Sequence, residues 1–120
     1  MKVYHATNSK ISKLDYSLLL KNISNNMNGA LGLWCCYEVT EWMKGFGSFM
    51  YEISLEGTSE DLPIDDLVSW NKQAKNYQFY SKKRKEFISK GIDYLKLIEM
   101  NGESHMLIIL NFEKLEINQI

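Results

Sequence analysis

Hydrophobic and polar positions predict three strands in the first half of the chain. Val3 to Thr7 is a short apolar and aromatic run that ends in a polar turn, and Phe49 to Leu55 alternates with a period of two. Between them, Leu31 to Tyr37 is apolar and aromatic. Its glycines, Gly29 and Gly32, indicate either a bulge or the close approach of another backbone segment.

Short helices are predicted between these strands. Leu14 to Asn26 contains an apolar centre with polar flanks, which predicts a short helix or a turn, and Asn22 to Gly29 is rich in turn-forming residues that indicate a loop. Thr40 can cap a helix that ends at Gly45 and Gly47. Its apolar positions recur at helical spacing at Val39, Trp42, Met43 and Phe46.

The second half predicts two more helices and a hairpin. Gly57 to Pro63 has the composition of a turn and an acidic loop, after which Pro63 begins a helix that carries Ile64, Leu67, Val68 and Trp70. Ser81 would cap a basic helix, Lys82 to Lys90, which ends at Gly91. The basic run at its start favours a solvated helix face, with attraction to phosphate as the alternative.

Two apolar strands follow, Asp93 to Met100 and Ser104 to Leu110. The Asn101-Gly102 pair between them is typical of a type I′ turn. Phe112 to Ile120 alternates apolar and charged residues, which predicts a closing strand or an extended tail. Because the sequence contains no recognisable repeat or domain linker, residues 1–120 are predicted to form a single α+β domain.

Composition and charge exclude several classes of protein. The chain of 120 residues is 45% hydrophobic, with a net charge of −1 and a sequence pI of about 6.1. No overall basic field favours direct binding to nucleic acid or anionic membrane. Apolar runs such as Met106 to Leu110 are too short to cross a bilayer, which takes about 20 residues, and no secretory signal is indicated. We therefore expect an intracellular, cytoplasmic protein.

Cysteine and histidine positions argue against a disulfide or a metal site. Cys35 and Cys36 are adjacent, so they do not easily form a normal disulfide with each other, and they fit a reducing compartment. Cysteines flanked by apolar residues usually behave as small buried hydrophobes. No second cysteine pair or histidines at ligand spacing would complete a zinc site.

Three polar groups of residues carry candidate chemistry. The first is His5 with Thr7, and the second is the aromatic and thiol segment Trp34 to Tyr37 with Trp42 beyond it. The third is the acidic hairpin Glu99 to His105. Taken singly, each has a structural explanation, since tryptophans at such spacings are more often core residues than ligand platforms.

The order of these segments resembles the ADP-ribosyltransferase family. Tyr4-His5-Ala6-Thr7 is similar to the family's Tyr-His-Gly-Thr, and Gly32-Leu33-Trp34 is similar to its Gly-Leu-Tyr. The later segments Tyr51 to Leu55, Lys90 to Tyr94 and Leu107 to Asn111 also have counterparts in small members. At this length the chain looks most like the small transferase-fold proteins that phages use against bacterial defence, including an anti-CRISPR type.

The resemblance implies a fold, a co-substrate and a set of site residues. The fold would consist of two small antiparallel sheets packed with short helices around an NAD cleft. Glu103 or Glu99 would be the catalytic acid. The reaction would transfer ADP-ribose from NAD to a bacterial host or defence protein such as a CRISPR component. The NAD-binding residues would be His5, Ala6, Thr7, Trp34, Tyr37 and Trp42, and no metal is implied.

Two other functions remain open from the sequence. One is a catalytically inactive relative that blocks a partner protein or sequesters a nucleotide. The other is a cysteine-dependent hydrolase using Cys35 or Cys36 with His105, or an RNA-processing relative, although a single arginine, Arg84, fits the latter poorly.

Overall fold

Strands of this chain join into one mixed sheet. The computed structural model describes residues 1–21, 23, 27–113 and 115–120. Its seven strands lie in the order β4-β5-β6-β2-β1-β3-β7, and every neighbouring pair is antiparallel except β4 and β5. The strands are β1 Lys2–Thr7, β2 Leu33–Cys36, β3 Phe49–Ser54, β4 Ser59–Pro63, β5 Tyr94–Ile98, β6 Met106–Ile109 and β7 Glu116–Gln119.

The α+β class is confirmed, but the prediction of two small sheets is not. β2 pairs with β6 on one side and with β1 on the other, so it connects the strands that would otherwise form separate sheets. The helices are α1 Tyr16–Lys21, α2 Glu41–Lys44, α3 Ile64–Gln73 and α4 Gln78–Ser89, with a 3₁₀ helix at Met27–Leu31.

Alternation along the central strands divides the core between the two faces of the sheet. On β6, Ile108 belongs to one buried cluster, whereas Leu107 and Ile109 belong to the other. The first cluster is covered by the 3₁₀ helix, α3 and α4. The second is covered in part by Leu14, Leu19 and Phe112.

Most predicted elements are present, some with shifted ends. α1 confirms the helix predicted after β1, although residues 22 and 24–26 lie outside the described part of the chain. The loop predicted for Asn22 to Gly29 is wrong at Met27–Gly29, which belong to the 3₁₀ helix. The same 3₁₀ helix includes Leu31, so β2 begins at Leu33 rather than at Leu31. β7 confirms the closing strand by pairing with β3, and residue 114 before it is not described.

Two predictions in the second half are wrong in detail. Gly57 to Pro63 was predicted as a loop, but Ser59–Pro63 forms β4 in parallel register with β5. α4 begins at Gln78 with Tyr77 as its N-cap, so Ser81 lies inside the helix. The Ser81 hydroxyl lies 2.7 Å from the Tyr16 hydroxyl instead of capping.

The hairpin between β5 and β6 uses a different turn from the predicted one. The amide of Gly102 donates to the carbonyl of Glu99, and the amide of Glu99 donates to the carbonyl of Glu103. Gly102 has a φ of +83°. This pattern is a three-residue loop with a left-handed glycine, whereas a type I′ turn would place Asn101 and Gly102 at its two central positions.

Aromatic side chains contact two of the four consecutive cations, Lys82 to Lys85, in α4. The Lys83 ammonium lies 5.0 Å from the ring centroid of Trp70, and the Arg84 guanidinium lies 3.7 Å from that of Tyr16. Arg84 also donates from Nε to the carbonyl of Leu110. Two of the four cations are therefore turned onto the protein, which leaves no continuous basic face.

Candidate functional site

A cleft of about 720 Å³ opens where β2 ends and the β5–β6 hairpin rises beside α2. Its size is within the range of small-molecule sites. The lining residues come from the end of β2, the start of α2 and both arms of the hairpin, together with Ile64 of α3. They are Cys36, Tyr37, Glu38, Thr40, Trp42, Ile64, Leu97, Glu99, Ser104, His105 and Met106.

Local structure places each wall of this cleft. The Thr40 hydroxyl accepts a hydrogen bond from the amide of Met43 at 3.3 Å, which confirms the predicted N-cap and fixes the start of α2. Met43 is buried, so its neighbour Trp42 projects outward beside the cleft with 59% of its surface exposed. On the opposite side, the Ser104 hydroxyl donates to the Tyr37 hydroxyl at 3.2 Å and ties the hairpin to the end of β2.

Three acidic residues converge on one imidazole at the cleft. His105 donates from Nδ1 to the carboxylate of Glu99, and its Nε2 lies 3.6 Å from Glu103. Hydrogen bonding and charge from Glu99 raise the pKa of His105, with smaller contributions from Glu103 and Glu38. The sequence places His105 in the acidic hairpin, but it does not predict that His105 pairs with Glu99.

A second, smaller cavity adjoins the cleft. It has a volume of about 110 Å³ and shares Cys36, Trp42 and Met106 with the cleft. The remaining lining residues include His5, Ala6, Trp34 and Phe46. These shared walls bring the end of β1 next to the cleft.

His5 is held firmly at this position. Its Nδ1 lies 2.7 Å from the Trp34 carbonyl oxygen, which only accepts, so this nitrogen carries the proton and donates. Burial lowers the pKa of His5, and the hydrogen bond to Trp34 only partly opposes that effect. The imidazole is therefore neutral near pH 7, with Nε2 left as an acceptor.

The predicted site residues are thus partly brought together. Tyr37, Trp42 and Glu99 line the cleft, and His5, Ala6, Trp34 and Trp42 line the adjoining cavity. Two do not line either space. Thr7 faces a separate cavity of about 220 Å³ that also contains His5, Lys10 and Lys13, and Glu103 touches the cleft only through His105.

The cysteines have the environment of core residues. Cys35 is 1% exposed and Cys36 is 7% exposed, both are free thiols, and burial raises the pKa of each. A reactive cysteine needs the opposite shift, toward the thiolate. Burial of both thiols therefore gives the hydrolase alternative no support, although Cys36 does line the cleft.

Comparison with known proteins identifies the fold only. No protein family matches the chain, and none of the curated proteins matches it. A solved structure described as the crystal structure of an anti-CRISPR protein superposes with a TM-score of 0.58, covering 100% of this chain and 95% of that one. The two chains share a fold. At 12% sequence identity, this likeness shows the fold alone, and no comparison supports the ADP-ribosyltransferase family.

Two absences hold for the described part of the chain. No helix there is long and apolar enough to cross a membrane. Within the same residues, no three histidine, cysteine, aspartate or glutamate side chains are arranged to hold a metal ion.

We predict that the two histidines titrate on opposite sides of the ordinary value of 6.5. His105 is expected above it because of Glu99, and His5 below it because of burial. Folding stability should follow with opposite signs. The His105 contribution is present below pH 6.5 and is lost as pH rises through its raised pKa, whereas His5 favours the unfolded state as pH falls below 6.5.

Imidazole chemical shifts measured by NMR across pH 4 to 9 would test this assignment. The variant Glu99→Gln should move the His105 midpoint downward and leave that of His5 in place. A His105 midpoint at or below 6.5 in the unaltered protein would contradict the pairing.

Proposed function

We propose that this protein is an NAD-dependent ADP-ribosyltransferase that modifies a macromolecular target in bacterial defence. The observation that carries the proposal is the pair of adjoining cavities. Together they are lined by six of the eight residues that the resemblance to the transferase family selects, namely His5, Ala6, Trp34, Tyr37, Trp42 and Glu99, whereas Thr7 and Glu103 line neither cavity. These residues come from β1, β2, α2 and the end of β5, so their convergence depends on the tertiary fold.

The chemistry of the two cavities fits the nicotinamide and ribose portion of NAD. Trp34, Tyr37 and Trp42 offer flat faces for a ring, and a neutral His5 has an acceptor nitrogen for a ribose hydroxyl. No lysine or arginine is among the described residues that line the cleft. The cleft therefore accounts only for the nicotinamide and ribose portion of NAD, since Lys10 and Lys13 line the separate cavity of about 220 Å³ beside the other buried cluster.

Glu99 is the residue best placed to assist bond cleavage. As the C–N bond to nicotinamide breaks, nicotinamide leaves with the electron pair and positive charge develops on the ribose. A carboxylate held close by stabilises that charge, as in glycoside hydrolysis. A nucleophile of the target then attacks C1′ of the ribose and loses its proton. Glu99 lines the cleft directly, whereas Glu103 does not.

The shared fold supports the choice of target. The structural neighbour carries the description of an anti-CRISPR protein. We therefore infer a host defence protein, such as a CRISPR component, as the acceptor, and a phage or mobile element as the source of the protein. The site of action would be the cytoplasm of the bacterial host.

A thermal shift with NAD tests the proposal at its first step. A ligand that binds only the native state stabilises it by about 2.7 kcal/mol at 100 times its Kd, so the Tm should rise by several degrees. Trp42→Ala should reduce this shift. Tyr77→Ala, which also removes an exposed aromatic side chain but one that lines neither the cleft nor the adjoining cavity, should not. Absence of both a shift and NAD consumption in the unaltered protein would overturn the enzymatic proposal.

A second candidate function is a binding protein that blocks its partner without catalysis. The specific observation in its favour is that the Glu99 carboxylate is already engaged by His105. Exposed aromatic residues beside the cleft also suit contact with another protein. Incubation with labelled NAD and a bacterial lysate separates the two functions, since only the transferase would leave a labelled band.

A further inference from the structure

An exposed apolar patch lies beside the mouth of the cleft. Val39, Trp42 and Phe46 are 43%, 59% and 52% exposed, and we refer to these three residues as the α2 patch. The Trp42 and Phe46 rings contact each other edge to face, with centroids 4.6 Å apart. Both rings also wall the small cavity next to the cleft, so the patch continues into an apolar depression.

The sequence of α2 does not explain why these side chains face outward. The helix has only four residues, and burial of Met43 already anchors it against the sheet. Single exposed apolar residues are common, but a contiguous aromatic pair at the edge of a cleft is characteristic of interaction surfaces. Aromatic side chains of this kind frequently dominate binding energy between proteins.

Carboxylates surround the patch and define the chemistry of its occupant. Glu38 and Glu99 line the cleft, Glu41 begins α2, and Glu103 lies across the hairpin. Two cations lie among them: Lys44 is paired with Glu41 at 2.8 Å, and His105 is paired with Glu99 and lies 3.6 Å from Glu103. Four carboxylates against these two cations leave the group acidic, and Glu38 is exposed. The combination of flat aromatic faces and carboxylates is complementary to guanidinium and ammonium groups, which stack on rings and pair with acids.

We propose that the α2 patch and its acidic rim dock a protein surface rich in arginine and lysine, of the kind that binds nucleic acid. The inference names the partner of the cleft and therefore rests on the proposed function in taking a protein as the target. A second copy of the chain is the weaker occupant. The basic segment of α4 is the described run of cations that another copy could offer, but two of its four cations contact aromatic rings of their own chain, and the contact would be head-to-tail, which gives rings or open chains rather than a two-fold dimer.

Binding of a defined cationic probe tests the inference without NAD. The probe is a fluorescein-labelled peptide of alternating arginine and glycine, and its control is the same peptide with citrulline, which keeps the shape and removes the charge. Anisotropy at low salt should show binding of the arginine peptide only. Amide shifts on addition of peptide should map to residues 36–46 and 99–106.

Charge reversal with a matched control makes the test specific. Glu38→Lys with Glu41→Lys should weaken binding about tenfold, and Trp42→Ala about fivefold. Glu56→Lys with Glu86→Lys changes the net charge equally at exposed positions away from the cleft and should have little effect. The melting temperature of each variant shows that it remains folded.

Several results would overturn the inference. These are equal binding of the two peptides, no binding of either, shifts that map elsewhere, or equal weakening by both double variants. Self-association of the unaltered protein through the patch, seen by sedimentation and abolished by Trp42→Ala, would assign the surface to a second copy instead. Because NAD is absent throughout, failure here leaves the NAD thermal shift as an independent test of the reaction.

Discussion

Replacing Gly32 by alanine is expected to lower the free energy of unfolding by about 3 kcal/mol or more, since overpacking of this kind costs 1–3 kcal/mol and occasionally more. A Cβ at this position would lie 2.2 Å from the backbone oxygen of Ile109 and 2.9 Å from a side-chain carbon of Ile108. Backbone atoms in the middle of the sheet cannot move aside without breaking the pairing of β2 with β6. Urea unfolding followed by circular dichroism would measure the change.

Gly29→Ala provides the matched control. Among the described residues, a Cβ there would meet the side chain of Ile23, at the ordinary contact distance of 3.5 Å. Because alanine restricts the unfolded chain more than glycine does, this variant should be neutral or slightly stabilising. Equal losses of stability in the two variants would show that the sensitivity belongs to the 3₁₀ helix rather than to the approach of β6.

For these two glycines, the sequence predicted the kind of environment but not the partner. Their position before an apolar strand indicated either a bulge or a close backbone approach, and for Gly32 the close approach is the correct alternative. The local pattern could not identify Ile109 as the partner, because the two residues meet only through tertiary pairing. Elements specified by short-range patterns, such as β3 with its period of two and α2 with its Thr40 cap, were predicted with nearly correct ends.

β4 shows why other parts of the fold could not be predicted from the sequence. Its residues are mostly polar and acidic, and only Leu62 is buried, since the strand lies at the edge of the sheet. Its one pairing partner, β5, follows two helices later in the chain. A strand stabilised by a distant parallel neighbour rather than by its own apolar residues has no local signal.

The residues that the family resemblance selects for the site could be named from the sequence, but their arrangement could not. The family resemblance selected His5, Trp34, Tyr37 and Trp42, and the fold places them along two adjoining cavities. The choice between Glu99 and Glu103 could not be made from the sequence, because it depends on the register of the hairpin. The three-residue loop sets that register, and it directs Glu99 into the cleft and toward His105.

Under the proposed transferase function, Glu99→Gln is expected to reduce ADP-ribose transfer by about 100-fold or more, the loss typical when a group that stabilises transition-state charge is removed. Glutamine keeps the shape of the side chain but cannot stabilise positive charge on the ribose. NAD binding should change little, because the carboxylate acts on charge that develops only during bond cleavage. Rates measured with labelled NAD at saturating concentration, together with the thermal shift, would separate the two effects.

Glu103→Gln and Glu86→Gln complete the comparison. Glu103 touches His105 at 3.6 Å without lining the cleft, so its replacement should cost much less than that of Glu99. Glu86 is exposed on α4 and should have no effect. A larger loss at Glu103 than at Glu99 would reverse the assignment of the catalytic acid. Transfer that is undetectable in the unaltered protein, together with retained binding of a partner, would instead favour the non-catalytic blocking function, in which Glu99 serves only to hold His105 at the rim.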